Sequence, residues 1–162
     1  MEAKQQETTH STAALSEKEI MDGTYLKDMP EGCRLIVTPK VTDARGELCF
    51  MEGNAHIPFP IARVFFLYNI PEGATRGDHS HNTCAEVVFP VHGAFTMIVD
   101  NGKQRCSVRM TEPHIGILIP PGMWCKLTDF EEGTVCAVVA SHKYDASGYT
   151  LSYEEYIQGV NP

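Results

Sequence analysis

At 162 residues, 43% of them apolar, the chain has room for one domain with a sizeable core plus a short extension. A net charge of −8 and a pI near 5.3 exclude a dedicated nucleic-acid or membrane-surface binder, so an anionic ligand must be met by individual Arg and Lys side chains. No run of 18 apolar residues exists, which excludes a membrane-spanning helix.

The segment Met1 to Ala13 is polar and lacks the apolar stretch of a secretory leader. Residues 1–24 read as an N-terminal extension, with 25–162 as the folded domain. Within the extension Ser16-Glu17-Lys18-Glu19 is a capping box, predicting a short helix through Met21 closed by Gly23 on an otherwise frayed tail. From Cys33 onward the pattern changes to strands. Arg34–Val37, Leu48–Met51, Ala62–Asn69, Ala85–Val91, Ala94–Val99, Arg105–Met110, Gly116–Ile119 and Thr134–Ser141 are short, β-branched or aromatic, and punctuated by Gly, Pro, Asn and Asp. Asp100-Asn101-Gly102 predicts a hairpin turn. A second short helix is expected over Tyr153–Ile157. Many short, evenly spaced strands predict an all-β sandwich or barrel, a double-sheet jelly roll above all. The six cysteines form no CxxC pair, and those inside apolar runs are expected to be reduced and buried, in a reducing cytoplasm.

The run Gly73-x5-His79-x-His81-x4-Glu86-x6-Gly93 concentrates the chemistry. Alternate residues of an extended segment share a face, so His79 and His81 point the same way while Ser80 points to the other. Glu86 is expected to return to that face from a neighbouring strand after a turn through Asn82, Thr83 and Cys84. Two imidazoles and a carboxylate in one pocket can either ligate a metal or move protons. His10, His56, His92, His114 and His142 have no partner that the sequence identifies.

That spacing matches the first motif of the cupin superfamily, and Pro120-Pro121-Gly122-Met123-Trp124-Cys125 resembles the second, with Cys125 in place of its final His. A closer resemblance covers about residues 34–157. Asp43-Ala44-Arg45-Gly46, the run Ile57 to Phe66, Arg76-Gly77-Asp78-His79-Ser80-His81, Ile119 to Trp124, Ala140-Ser141-His142-Lys143-Tyr144-Asp145 and the closing segment Tyr149 to Tyr156 resemble the WxcM-like nucleotide-sugar 3,4-ketoisomerases of the FdtA/QdtA type. The resemblance implies a cupin jelly roll (a double-stranded β-helix) with short helices only at its termini, and a homodimer. It implies metal-free isomerisation of a dTDP-linked 4-keto-6-deoxyglucose to a 3-keto sugar, destined for amination and a surface polysaccharide. By carry-over His79 and His81 are the acid–base pair, since an imidazole near its ordinary pKa of ~6.5 serves as base and then acid. Arg63 and Arg76 are candidates for the enediolate or the diphosphate. Tyr68 and Trp124 are candidates to stack on the base or cover the sugar.

Four positions depart from the family. Glu86 stands where it has an amide, Asn82-Thr83 where it has a basic pair, Cys125 where it has His, and Lys126 where it has an acid. Lys126 is expected to pair with Glu86 or to reach a phosphate. Glu86 is expected to orient an imidazole beside the substrate. These departures leave two alternatives open. His79, His81, Glu86 and Cys125 would together suit a divalent transition metal, giving a metal cupin of unknown substrate. Otherwise the fold persists as a non-catalytic nucleotide-sugar-binding module.

Overall fold

The computed structural model describes residues 7–160, so the first six residues of the extension lie outside it. Thirteen strands and two helices follow in order: β1 (Glu7–Ser11), α1 (Glu17–Met21), β2 (Arg34–Val37), β3 (Lys40–Asp43), β4 (Gly46–Cys49), β5 (Arg63–Leu67), β6 (Arg76–His81), β7 (Glu86–His92), β8 (Phe95–Asp100), β9 (Arg105–Met110), β10 (Ile115–Ile119), β11 (Trp124–Thr128), β12 (Val135–Ala140), β13 (Tyr149–Thr150) and α2 (Tyr153–Val160). They form a six-stranded sheet, β1-β9-β8-β11-β6-β13, a five-stranded sheet, β2-β10-β7-β12-β5, and a separate β3-β4 hairpin. This is the expected all-β jelly roll, with helices only towards the ends of the chain.

The alternation of each strand explains the layers. On β8, Phe95, Met97 and Val99 are buried, and on β10 Ile115, Ile117 and Ile119 are buried. These odd-numbered residues meet between the sheets in the main core, together with Val108 and Val138. On β7 the even residue Val88 belongs to that core, whereas Val87 and Phe89 face outward and are roofed by Ile57 and Phe59. Pro90 is tolerated on this strand because pairing with β10 ends at Val88, so it lies past that ladder, beside the register shift with β12 between Val135 and Cys136. The predicted turn after Asp100 forms as read: the Gly102 amide donates to Asp100 Oδ1 at 2.7 Å and the Asn101 amide to the Gln104 carbonyl at 3.1 Å.

The frayed-tail expectation is corrected for residues 7–24. The capping box forms, with the Ser16 hydroxyl and Glu19 carboxylate bonding each other's backbone amides. However, β1 extends the six-stranded sheet by pairing parallel to β9, and Ile20 of α1 is buried in the main core. His114, expected to lack a partner, is buried with Nε2 at 2.8 Å from Glu17 Oε1 of α1. A Thr-rich strand between polar neighbours carries no apolar alternation, which is why its pairing was not legible.

Candidate active site

The site lies between the sheets, where β6 of one faces β5, β7 and β12 of the other. Gly77 (φ +78°) and Asp78 (φ +57°) both adopt the left-handed region just before His79. Opposite them the β6–β11 register shifts between Cys125 and Lys126, leaving Asp78 in a bulge. A Cβ on Gly77 would lie 3.0 Å from the Cys125 carbonyl oxygen, so the motif glycine keeps β6 tight against β11. After the bulge the strand alternates regularly. The rings of His79 and His81 share a face, 4.8 Å apart and edge to face.

Glu86 meets the histidines, but not by the route expected. It opens β7 in the five-stranded sheet, whereas the histidines end β6 in the six-stranded one. The carboxylate therefore approaches across the sandwich rather than from a neighbouring strand. Glu86 Oε1 lies 3.1 Å from His81 Nε2 and 3.5 Å from Arg63 Nη2. The His81 contact lacks the angle of a hydrogen bond, so Nε2 is a buried ring nitrogen without a hydrogen-bond partner among the described residues. The Arg63 guanidinium sits over the rings of Phe65 and Tyr144, at 5.1 and 5.6 Å.

A cavity of about 80 Å³ opens on one side of this cluster, with His79, Glu86, Arg76 and Cys125 set among Phe65 and aliphatic side chains of both sheets. A second, of about 280 Å³, is lined by Arg63, His81, Lys143 and Tyr149. Burial, and after it the charge of His81, holds the His79 imidazole below its ordinary pKa, against the opposing pull of Glu86, a backbone hydrogen bond with Gly77, and Asp78. Burial pushes the Cys125 thiol far up, and the Glu86 charge pushes it further.

Thus the structure brings together His79, His81, Glu86, Arg63 and, at the cavity wall, Arg76. The predicted contacts of Cys125, Trp124 and Lys126 are corrected. Cys125 and Leu127 face the cavity, so strand alternation turns Trp124 and Lys126 to the outer side of the sheet. Lys126 Nζ pairs with Asp78 Oδ1 at 3.6 Å and not with Glu86. Trp124 packs 5.2 Å from Tyr153 and 5.5 Å from Tyr156, beneath α2. Tyr68, just past the end of β5, is 64% exposed. As a ligand set, His79, His81 and Glu86 offer atoms all within 4.8 Å of one another, and Cys125 does not join them.

One side chain of the site was not expected there. Tyr149 of β13 lies with its ring 5.1 Å from His79 and 4.5 Å from His81. The only sequence signal for it was its place at the start of the closing segment; a two-residue strand carries no alternation to read.

A family model described as WxcM-like, C-terminal (FdtA) matches residues 31–161. The TDP-4-oxo-6-deoxy-α-D-glucose-3,4-oxoisomerase of Aneurinibacillus thermoaerophilus is 30% identical over 131 residues, covering 79% of this chain and 94% of that protein. Among solved structures, the sugar 3,4-ketoisomerase QdtA of Thermoanaerobacterium thermosaccharolyticum, in complex with TDP, is 31% identical with a TM-score of 0.79, over 82% of this chain and 96% of that one. A His-to-Asn variant of the same enzyme was solved with TDP-4-keto-6-deoxyglucose. The TDP-quinovose 3,4-ketoisomerase WlaRB of Campylobacter jejuni is 29% identical with a TM-score of 0.76, over 80% of this chain and 99% of that one. With the family model spanning all but the first 30 residues and the final one, and a curated relative 30% identical across nearly its whole length, the chain belongs to the WxcM-like, C-terminal (FdtA) family.

Proposed function

We propose that this chain is a nucleotide-sugar 3,4-ketoisomerase, acting on a TDP-linked 4-keto-6-deoxyhexose by proton transfer through an enediol. The observation that carries the reading is the edge-to-face imidazole pair, at one cavity with a carboxylate reaching it from the opposite sheet. His79 lines the cavity and is held neutral by burial, so it is the base that takes the C3 proton. The C3–H electrons become the C3=C4 bond, and the carbonyl π electrons move onto O4. His81 passes the O3 proton to O4, and protonated His79 returns its proton to C4, leaving a carbonyl at C3. Glu86 faces the His81 ring, with Oε1 3.1 Å from Nε2, and sets a carboxylate beside the relay. Arg76, exposed at the cavity wall, is free to meet the diphosphate.

The reading needs no metal. Arg63 already supplies a positive charge at the Glu86 carboxylate, and the Cys125 thiol is held protonated by burial. A second reading is favoured by one observation, the convergence of three ligand atoms around an unpartnered His81 Nε2. A divalent ion held by His79, His81 and Glu86 would polarise a bound carbonyl. One experiment separates the readings: metal content of tag-free protein by mass spectrometry, with a TDP-4-keto-6-deoxyhexose then followed by proton NMR in deuterated water. Metal-free protein that removes the C3 proton and forms the 3-keto sugar, with deuterium entering at C4, is the expected result. Stoichiometric metal without isomerisation would replace the isomerase by a metal cupin. Tight binding without isomerisation would leave a binding module.

The proposal extends to a homodimer in a reducing, cytoplasmic setting that feeds amination of the keto sugar for a surface polysaccharide. The dimer is supported by the outer face of the edge strand β5, where Val64 and Phe66 are 52% and 57% exposed. The compartment is supported by six unpaired cysteines. Light scattering on the wild type is expected to give twice the chain mass, and Phe66→Asp to give monomer. A monomeric wild type would end the dimer assignment.

A further inference from the structure

Tyr149 closes the site against both histidines and is fixed there by its backbone. It pairs with His81, and Thr150 with Ser80, so β13 runs antiparallel along the histidine end of β6. The loop before it is set by Asp145, whose Oδ1 accepts from the Ser147 amide and hydroxyl at 2.9 and 2.6 Å, and by the Asn82 amide donating to the Gly148 carbonyl at 2.8 Å. The Tyr149 side chain shares the larger cavity with Arg63 and His81, and the Arg63 guanidinium lies beside its hydroxyl.

The isomerisation requires a donor for O4 while negative charge sits there, and that donor must not be a group already moving a proton. The two imidazoles are occupied with the C3 and O3 protons. The Arg63 guanidinium reaches the Glu86 carboxylate through Nη2 at 3.5 Å and also lies beside the Tyr149 hydroxyl, so its charge is shared between those two groups. A phenol beside His81 is left, and no step of the proton relay uses it. Resting on the ketoisomerase reading, we propose that Tyr149 is a catalytic residue whose hydroxyl donates a hydrogen bond to the sugar's O4 as the enediolate forms. The phenol keeps its proton throughout. It shares that proton with O4 while the C3–H electrons occupy the C3=C4 bond, and the bond relaxes once O4 is protonated through His81. Burial, outweighing the opposing effect of Arg63, raises the phenol above its ordinary pKa, which keeps it a donor at neutral pH.

A ring that only packs on the histidines would act equally well as phenylalanine, so Tyr149→Phe separates the two roles. With a TDP-4-keto-6-deoxyhexose as probe, kcat of the variant is expected to fall by about 100-fold, the effect of removing one oxyanion donor, with KM nearly unchanged. TDP should bind it as tightly as it binds the wild type. A second protein carrying 3-fluorotyrosine at 149, a more acidic phenol of nearly the same shape, should keep its activity but move the basic limb of the kcat profile to lower pH. Wild-type kcat in Tyr149→Phe would overturn the proposal. So would a loss of activity accompanied by an unmoved basic limb in the fluorinated protein, since the loss would then be one of packing. A wild type that forms no 3-keto sugar would overturn the ketoisomerase reading itself, and the unsubstituted control reveals that case.

Discussion

Replacing His79 by Asn is expected to reduce kcat by about 10²–10⁴-fold, the range for loss of a positioned general base, while leaving the fold intact. Asn keeps a polar group of similar reach at the cavity wall but cannot take a proton from carbon. The check is turnover of a TDP-4-keto-6-deoxyhexose by NMR beside a thermal melt; undiminished turnover would remove His79 from the mechanism. The pH profile gives an independent reading of the same residue. A base works when neutral, so kcat/KM rises with pH as His79 loses its proton. Because burial lowers its pKa, the acid limb should lie below 6.5, the ordinary value. Glu86 pulls that pKa upward, so Glu86→Gln should shift the limb to still lower pH. An acid limb above 6.5 would assign it to another group.

Phe89→Ala is expected to destabilise the fold by about 3–5 kcal/mol, as for other fully buried aromatics, without abolishing catalysis. The Phe89 ring is wholly buried on the outer face of β7, under Ile57 and Phe59 and away from the site. A Cβ on Gly116 would lie 2.6 Å from it, so glycine on β10 makes room for this ring and backbone fills one side of its pocket. Strand backbones cannot collapse into the space a deleted ring leaves, which puts the cost at the upper end of the range. At about 2–4 °C per kcal/mol for a chain of this size, the melting temperature should fall by roughly 10–20 °C. Well below the melt, kcat should stay close to wild type, since Glu86 and Val88 leave the same strand on the other face. A melt within a degree or two of wild type would mean that the roof formed by Ile57 and Phe59 settles into the gap.

How far the sequence could be read depended on the range of the physics involved. The facing of His79 and His81 is a two-residue property of an extended chain, and it held through the bulge because Gly77 and Asp78 absorb the irregularity before the histidines begin. The same rule, applied to β11, places Trp124 and Lys126 outside as soon as Cys125 and Leu127 are known to be inside. The motif match named Trp124 but said nothing of that phase, and the indole instead anchors α2. Glu86 was found by spacing but assigned to the wrong sheet. A turn of four residues, Asn82 to Ala85, leads as easily across a sandwich as back along one sheet, and only the packing of both layers decides. Tyr149 and Arg63 meet the histidines through contacts between residues far apart in sequence, beyond the reach of any periodicity.

The parallel pairing of β1 with β9 carries a consequence for the order of assembly during synthesis. Glu7 lies opposite Arg105 and Ser11 opposite Arg109, 98 residues later in each case (105 − 7 and 109 − 11). β1 therefore has no partner until β9 and the strands between them have followed it. At ordinary elongation rates that wait is about 5–20 s. For that interval a polar, Thr-rich strand travels unpaired, and its polarity lets it remain in water without drawing other nascent chains to itself. β1 therefore docks late, onto a sheet edge that did not exist when it was made.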